Sequence, residues 1–368
     1  MTSTRKRPLE SGLPAAVLLT ALLTISSVGL AASGPPGGQA LWETYKQRFL
    51  QRDGRVIDTF QKDFSHSEAQ AYGLMLAFKF GDREAFRTIA RWSRENLQRR
   101  GGDHLFCWAW GRRPDGAWRI LNYNNASDAD ILMAWSLLRA GRAWGDQQMQ
   151  NRAREIIRDI RTLLFAHSGG KKVLLPGYWG FAAAENHIEY NPSYFIPAAF
   201  ADFAHTGDAP SFWHRAIADG LALQRGCRFG RFGLMPDWVM LKKGKPSLSP
   251  KRPGKYGFDA VRTWLWALQP DGNQQGRKKR SGQPRHEGLE RFLLFCKPQK
   301  WVPAEVRLKD DFLSPHDAPA GFYMIYARAM ATRGNTDLAG QLKKRAFEKL
   351  VGEKANYYSF SLFLLALY

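Results

Sequence analysis

The amino-acid sequence predicts an all-α fold, an (α/α)6 barrel in which six helical hairpins close into a toroid. Apolar residues recur at helical spacing in twelve segments distributed over the 368 residues, and the alternating pattern of a half-buried strand is nearly absent. An α-solenoid is the alternative, but no fixed repeat period relates the segments. Twelve consecutive helices without such a period favour a closed ring of hairpins.

Local stop signals support the division into helices. Glycine-containing pairs at 81–82, 101–102, 207–208 and 334–335 end periodic runs. Pro192 fixes the start of the helix that follows it. The predicted helices are, in chain order, 42–49, 69–80, 83–97, 131–144, 149–165, 194–204, 212–224, 259–267, 288–296, 321–332, 337–350 and 357–367.

The N-terminal segment, residues 1–31, is predicted to be a signal peptide. A basic start (residues 5–7) is followed by an apolar run over 13–30 and by small residues suited to cleavage. An uncleaved membrane anchor is the alternative, because the apolar run approaches the length that spans a bilayer. Residues 32–40 are predicted to be a flexible linker. Residues 41–368 are predicted to be a single domain, since no Pro/Gly/Ser-rich stretch divides them.

The net charge of +21 raises the question of a nucleic-acid partner. Much of it lies in the segments 242–252 and 277–280, which are set among Gly, Pro, Ser and Gln and are interpreted as solvated loops. The chain has no helix-turn-helix, zinc-finger or aromatic RNA-binding signature, so we expect no specific nucleic-acid partner. Its three cysteines are widely spaced and fit no metal motif. We expect three buried thiols, with one disulfide as the alternative.

The segment 65–73 (Ser-His-Ser-Glu-Ala-Gln-Ala-Tyr-Gly) places one carboxylate, Glu68, at the start of an apolar helix. Burial disfavours the charged form of a carboxyl and can raise the pKa of a glutamate toward neutrality, as a proton donor requires. The simpler interpretation is a helix-start Glu that complements the helix dipole. On this segment alone, both interpretations stay open.

A second acidic motif occupies residues 124–130 (Asn-Asn-Ala-Ser-Asp-Ala-Asp) and leads into another apolar helix. One side chain is enough to cap a helix, so capping does not explain why both Asp128 and Asp130 are present. One of them could hold a sugar hydroxyl in a cleft while the other braces the helix. The alternative is that the two aspartates only cap the helix and complement its dipole.

A third motif, residues 256–264, contains Asp259 and, one turn later, Arg262. The two residues could form an ordinary i,i+3 ion pair. Alternatively, Arg262 keeps Asp259 ionised, as a general base requires. A fourth motif, residues 191–195, offers Tyr194 as a polar aromatic residue in a cleft.

Together, these four motifs resemble glycoside hydrolase family eight, the endoglucanases and their relatives. The resemblance covers residues 42–368, and its most specific block is 126–144, where positions 126–130, 133, 134, 137, 140 and 144 follow the family signature. Within the family, the layout is most similar to the periplasmic cellulases encoded with bacterial cellulose synthases. The segments that carry this likeness are 42–46, 54–59 and 356–359.

The resemblance implies an inverting glycoside hydrolase that needs no metal and no other cofactor. It implies that Glu68 is the general acid and Asp259 the general base that activates water. It also implies that Asp128 holds the sugar at the cleavage subsite, while Tyr194 and Arg262 position the water and the base. The single domain would then be a catalytic domain.

Glucan binding also requires flat apolar platforms. We expect Trp108, Trp110 and Trp179 to bind sugar rings, with Tyr123, Tyr178 and Trp238 as further candidates and Asp130 as a polar contact. One departure from the family pattern is alanine at positions 69 and 71, where glycine is common; a methyl group there could shift the acid or narrow the cleft. The others are His316-Asp317, where related cellulases tend to carry Trp-Asn, and the basic stretch 272–286, which looks like an insertion.

The sequence therefore predicts an endo-β-1,4-glucanase that acts on a β-1,4-glucan chain. We expect a periplasmic or secreted monomer with no membrane span after signal cleavage, associated with a cellulose synthase and export complex. The alternatives are a hydrolase of chitosan or xylan, and a non-catalytic glycan-binding subunit of the export system. Polyanion binding through the basic loops could coexist with catalysis.

Overall fold

A computed structural model describes residues 37–61, 63–183, 187–269 and 287–367. The predicted signal peptide and the basic run 277–280 lie outside these residues. Helix α1 (Gly38–Phe49) begins inside the predicted linker, which was expected to end at residue 40. The linker prediction is wrong for residues 38–40, because they form the first turn of a helix that Trp42 and Tyr45 anchor in the core.

The described residues contain twelve α-helices, one for each predicted segment. The largest differences are at α1 and α4, which start at Gly38 and Ser127 and not at residues 42 and 131; α6 starts at Pro197 and not at residue 194. Residues Pro192–Tyr194 form a separate 3-10 turn, and Ile196 is kept out of the helix by the proline after it. The helices that follow α1 are α2 Ser67–Lys79, α3 Arg83–Asn96, α4 Ser127–Trp144, α5 Gln147–Leu163, α6 Pro197–Ala204, α7 Pro210–Gly226, α8 Arg262–Ala267, α9 Glu287–Cys296, α10 Ala320–Thr332, α11 Thr336–Gly352 and α12 Tyr357–Ala366.

The even-numbered helices form a closed inner ring. Each of α2, α4, α6, α8, α10 and α12 contacts the next, and α12 contacts α2. Of the outer helices, α3 packs on α2, α5 on α4, α7 on α6, α11 on α10 and α1 on α12. The predicted (α/α)6 barrel is confirmed, and the closure of the ring excludes a solenoid.

Burial differs between the two rings in the way the apolar patterns require. Inner helix α4 is buried along nearly its whole length, from Ser127 to Gly141. Outer helix α5 buries only Met149, Ala153, Ile156, Ile157 and Ile160, which lie on one face at helical spacing. The core therefore lies between the two rings and inside the inner one.

The described ranges also contain twelve short strands in four small antiparallel sheets, which the sequence analysis did not predict. They contain two to five residues each, too few to show alternation. The sheets consist of β1 Ser65–His66, β2 Ala109–Arg112 and β3 Trp118–Asn122; β4 Phe165–Ser168 and β5 Lys171–Leu174; β6 Ala182–Ala183, β7 His187–Tyr190, β8 Val239–Lys242 and β9 Lys245–Leu248; and β10 Lys255–Tyr256, β11 Val306–Arg307 and β12 Phe312–Leu313.

All three cysteines are buried free thiols, as predicted: Cys107, Cys227 and Cys296. Within the part of the chain that the structure describes, no helix combines the length and apolarity needed to cross a membrane.

Candidate active site

Four of the predicted site residues meet where inner helices begin. Glu68 lies in the first turn of α2, Asp128 lies in the first turn of α4, and Arg262 is the first residue of α8. Asp259 precedes Arg262 in the turn that leads into α8. The N-terminal end of a helix carries partial positive charge, which favours carboxylates at this end of the barrel.

Arg262 joins the three carboxyl groups. Its Nη1 donates to Oε2 of Glu68 and lies 3.2 Å from Oδ2 of Asp128, and its Nη2 donates to Oδ1 of Asp259 at 2.6 Å. The Arg262 side chain is only 2% exposed. The predicted i,i+3 ion pair with Asp259 is therefore present, but it is one part of a buried cluster in which a single guanidinium group faces three acids.

Neutral groups complete the surroundings of the guanidinium. The hydroxyl oxygens of Tyr72 and Ser193 each accept a hydrogen bond from it at 3.1 Å. The Tyr194 ring lies alongside, with its centroid 5.5 Å from Cζ of Arg262. Tyr194 therefore lies against Arg262 in the carboxyl cluster; that it positions a water molecule stays a prediction.

The acid side of the cluster, which consists of Glu68 and Asp128, has its raised pKa at Asp128 and not at Glu68. Burial raises the pKa of Glu68, but Arg262, His66 and a hydrogen bond from Asp128 outweigh it and leave that pKa below its ordinary value. Burial and the negative charge of Glu68 together raise the pKa of Asp128 well above its usual range. The expectation of a raised pKa for Glu68 is wrong, because Arg262 stabilises the charged form.

The base side of the cluster is built from loops. Trp238 donates its indole N–H to Oδ2 of Asp259 at 2.9 Å. Oδ1 of Asp237 accepts the backbone N–H groups of Asp259 at 3.1 Å and of Ala260 at 2.8 Å. Burial raises the pKa of Asp259, the negative charge of Glu68 adds to the rise, and Arg262 and Trp238 oppose it.

Asp237 is a functional candidate that the sequence analysis missed. Burial, together with the negative charge of Asp259, raises the pKa of Asp237 to about 7. Nothing in the sequence distinguishes this Asp, which precedes a short strand, from a surface loop residue. Its importance appears only when the chain brings residues 237 and 259 together.

His66 is a second residue without a predicted role. It caps α2, because its Nδ1 accepts the backbone N–H of Ala69 at 3.3 Å, and its Nε2 lies 2.9 Å from the hydroxyl oxygen of Tyr357. The strand pairing of Ser65 and His66 with β2 fixes the same segment from the other side. The position of Glu68 is therefore set by a cap and a sheet as well as by Arg262.

Asp130 does not contact the cleft. It is fully buried, with Oδ1 accepting the backbone N–H of Phe106 at 2.8 Å and Oδ2 accepting from the Asn125 side chain at 2.7 Å. The prediction that Asp130 binds sugar is wrong. Two residues along a helix turn the side chain by more than half a turn, so Asp130 braces the adjoining loops while Asp128 points to Arg262.

Two of the three tryptophans proposed as sugar platforms are exposed. Trp108 is 42% and Trp179 is 49% exposed, and the guanidinium of Arg100 lies 5.1 Å from the Trp179 ring centroid. The exposed ring that we expected at Trp110 is instead half-buried, between an edge contact with Trp92 and a stacked contact with Trp118.

A cavity of about 840 Å³ lies next to the base side of the cluster. Phe258, which precedes Asp259, is 40% exposed and lines it, as does Phe60. The sequence analysis named neither ring, because an isolated phenylalanine gives no signal of exposure.

The alanines at positions 69 and 71 do not narrow the cleft. Both side chains belong to α2 and are fully buried in the hydrophobic core. Neither methyl group is therefore exposed to an open cleft.

Comparison with known proteins defines the family to which this closed ring of hairpins belongs. The profile of the family described as glycosyl hydrolases family 8 matches residues 13–368. An endoglucanase from Escherichia coli O157:H7 is 34% identical over 364 residues, covering 97% of this chain and 91% of the relative. A probable endoglucanase from Novacetimonas hansenii is 30% identical over 353 residues, covering 93% of each chain.

A solved structure agrees with these sequence matches. The endoglucanase Cel10 from Klebsiella pneumoniae, described as a family 8 glycosyl hydrolase, aligns with a TM-score of 0.74 and 29% identity, covering 89% of this chain and 97% of that one. This chain belongs to glycosyl hydrolases family 8 and is a glycoside hydrolase. The family resemblance read from the sequence motifs is confirmed.

Proposed function

We propose that this protein is an endo-β-1,4-glucanase that hydrolyses cellulose with inversion at the anomeric carbon. The observation that carries the proposal is the cluster in which Arg262 contacts Glu68, Asp128 and Asp259 at one end of the barrel. Endoglucanase names among relatives that align over nearly the whole chain support the choice of glucan.

Glu68 is proposed as the general acid. Its side chain is 16% exposed and that of its neighbour Asp128 is 3% exposed, so Glu68 is the member of the pair better placed to reach a substrate. The pKa of Glu68 is lowered and that of Asp128 is raised, which favours Asp128 as the site of a proton shared by the pair. We propose that this proton reaches the glycosidic oxygen through Glu68 when a bound sugar takes over part of the contact with Arg262.

Asp259 is proposed as the general base. It is 30% exposed, and Arg262 holds its Oδ1 in the same cluster. In the proposed step, Asp259 takes one proton from a water molecule while the water oxygen bonds to the anomeric carbon. The bond to the leaving oxygen breaks on the opposite face, where Glu68 supplies a proton. A β-linked glucan therefore yields an α-anomeric end.

Exposed aromatic rings are proposed to hold the glucan chain across the cluster. Trp108 and Trp179 serve one end of the cleft, and Phe258 lies next to the base. The C–H faces of pyranose rings pack on such surfaces. Exposed large rings on either side of a catalytic centre suit cleavage within a chain.

The biological setting is proposed from the sequence. We propose a monomer in the periplasm or outside the cell, acting on cellulose made by the same cell, next to the synthase and export complex. The basic start and apolar run of residues 1–31 support export.

The test is reducing-sugar release from soluble carboxymethylcellulose by the purified protein, compared with Glu68→Gln, with product anomers followed by NMR. We expect α-anomeric ends from the wild type and a rate about 10²–10⁴ lower for the variant. β-anomeric ends would contradict inversion. Release from chitosan or xylan alone would move the substrate to another β-1,4-glycan, and a folded protein without hydrolysis of any of these would favour a binding role.

A further inference from the structure

We infer that Trp238 is a positioning residue for Asp259, and that Arg252 and Glu189 hold Trp238 in place. The inference rests on the proposed function, because it requires Asp259 to act as the base. It also assigns a role to Arg252, the last residue of the basic segment 242–252 that the sequence suggests to be a solvated loop.

Both carboxylate oxygens of Asp259 are bound, and their donors differ in kind. Oδ1 accepts from Arg262, which also contacts Glu68 and Asp128. Oδ2 accepts the indole N–H of Trp238 at 2.9 Å. The indole nitrogen can only donate a hydrogen bond, so Trp238 is always the donor in this contact, and the acceptor is Asp259. Loss of the Trp238 N–H therefore affects Asp259 without disturbing the acid side.

Three side chains pack against the indole ring. The Arg252 guanidinium carbon lies 4.2 Å from its centroid. The Phe181 ring is nearly parallel to the indole at 6.0 Å, and the Tyr194 ring meets it at 61° and 6.1 Å. A ring with these neighbours has one orientation, and in that orientation its N–H points at Asp259.

Arg252 is itself fixed by a buried acid. Its Nε lies 3.1 Å from Oε2 of Glu189, which is 7% exposed and lies on β7, where it pairs with Met240 on β8. A cation against an indole ring is attracted to its electron-rich face and draws electron density from the ring. The N–H of Trp238 thereby becomes a stronger donor to the charged form of Asp259.

The other groups that face Asp259 stay in place when Trp238 changes. The charged or titratable side chains around it are Glu68, Asp128, Tyr194, Asp237, Arg262 and Tyr358. A Trp238→Phe variant keeps an aromatic ring among its neighbours and removes only the donor. A change in the titration of the base can then be attributed to the N–H group.

The experiment is the pH profile of kcat and kcat/KM on carboxymethylcellulose for the wild type and Trp238→Phe. We expect kcat to fall about 10- to 100-fold, the range set by one hydrogen bond to a charged group. The acidic limb of the profile should move to higher pH, because the ionised base has lost a stabilising donor. KM should change little, since the ring remains.

Two comparisons separate positioning from substrate contact. Trp179→Phe alters an exposed platform, so KM should rise while the acidic limb stays in place. Arg252→Gln should move the limb in the same direction as Trp238→Phe but by less. Lys251→Gln is its matched control, because it removes the same charge from the same segment at an exposed side chain.

The outcomes distinguish this inference from the proposed function. A wild type that hydrolyses no β-1,4-glucan would overturn the proposed function. With an active wild type, an unmoved acidic limb and raised KM in a folded Trp238→Phe would overturn the inference and make Trp238 a sugar platform. If Arg252→Gln and Lys251→Gln move the acidic limb equally, the proposed role of Arg252 in holding Trp238 is overturned.

Discussion

The acid side and the base side of the carboxyl cluster share Arg262 but differ in their surroundings. Glu68 and Asp128 are held in the first turns of two inner helices and are 16% and 3% exposed. Asp259 lies in a turn, is 30% exposed and is bound by a loop tryptophan. The carboxyl group proposed as the base is thus the one that water reaches most easily, whereas the proposed acid side is largely closed to water.

This difference assigns separate tasks to helices and loops. Helix starts place the acid side with little freedom, because His66 caps α2 and strand β1 precedes it. The base side depends on residues 237 and 238, which reach Asp259 from another part of the chain. Changes in loops can therefore adjust the base while leaving the acid side intact.

The largest expected effect is that of Arg262→Gln, which removes the group shared by both sides. Three carboxyls then remain buried without a cation, and the expected loss in the free energy of unfolding is about 3–5 kcal/mol. Their pKa values rise above the unfolded-state values, so the stability they contribute is present at low pH and is lost as the pH rises. Urea unfolding at pH 5 and pH 8 should show the larger loss at pH 8. An equal and small loss of stability at both pH values would contradict the role of Arg262 as the cation shared by the three carboxyl groups.

Asp237→Asn tests the base side alone. The Asn oxygen can still accept the two backbone N–H bonds, while the charge is removed. Because the pKa of Asp237 is raised to about 7 in the folded protein, the wild type loses stability as the pH rises toward and through that value, and the variant does not. At 1.4 kcal/mol per pKa unit, the difference is on the order of a few kcal/mol at pH 8.

The same variant should leave the acidic limb of the activity profile in place. With a pKa of about 7, Asp237 is mostly protonated at lower pH, so its replacement by Asn removes no charge from beside Asp259 there, in contrast to the upward movement expected for Trp238→Phe. Urea midpoints at pH 4 and pH 8 and the pH profile of kcat/KM measure the two effects. A limb that moves down would show that Asp237 is charged in this pH range and would contradict its raised pKa.

The smallest expected effect is that of Ala71→Gly on the acid side. The alanine methyl is buried in α2, and glycine in a helix interior costs about 0.5–1 kcal/mol in the free energy of unfolding. We expect a slightly lower melting temperature and a kcat within about twofold of wild type. A large gain in kcat would show that the methyl group holds Glu68 away from its productive position.

The helices and the acid side could be predicted from the sequence, whereas the base side could be predicted only in part. Glu68 and Asp128 begin apolar helices, and that local pattern is visible in the chain. Asp237 and Trp238 act across 21 to 22 residues through contacts that no local pattern encodes. Asp130 shows that a local pattern can also mislead. It belongs to the same acidic motif as Asp128, but the helix turns its side chain away from Arg262, so it holds the adjoining loops instead.

The leaving-group dependence of Glu68→Gln and Asp259→Asn tests the central claim, a division of labour between the two sides, most directly. The substrates are carboxymethylcellulose and an aryl β-cellooligosaccharide whose phenol departs without protonation. We predict that Glu68→Gln loses about 10²–10⁴ in rate on the polymer but little on the aryl glycoside, while Asp259→Asn loses activity on both. Equal losses of Glu68→Gln on the two substrates would contradict the assignment of Glu68 as the acid.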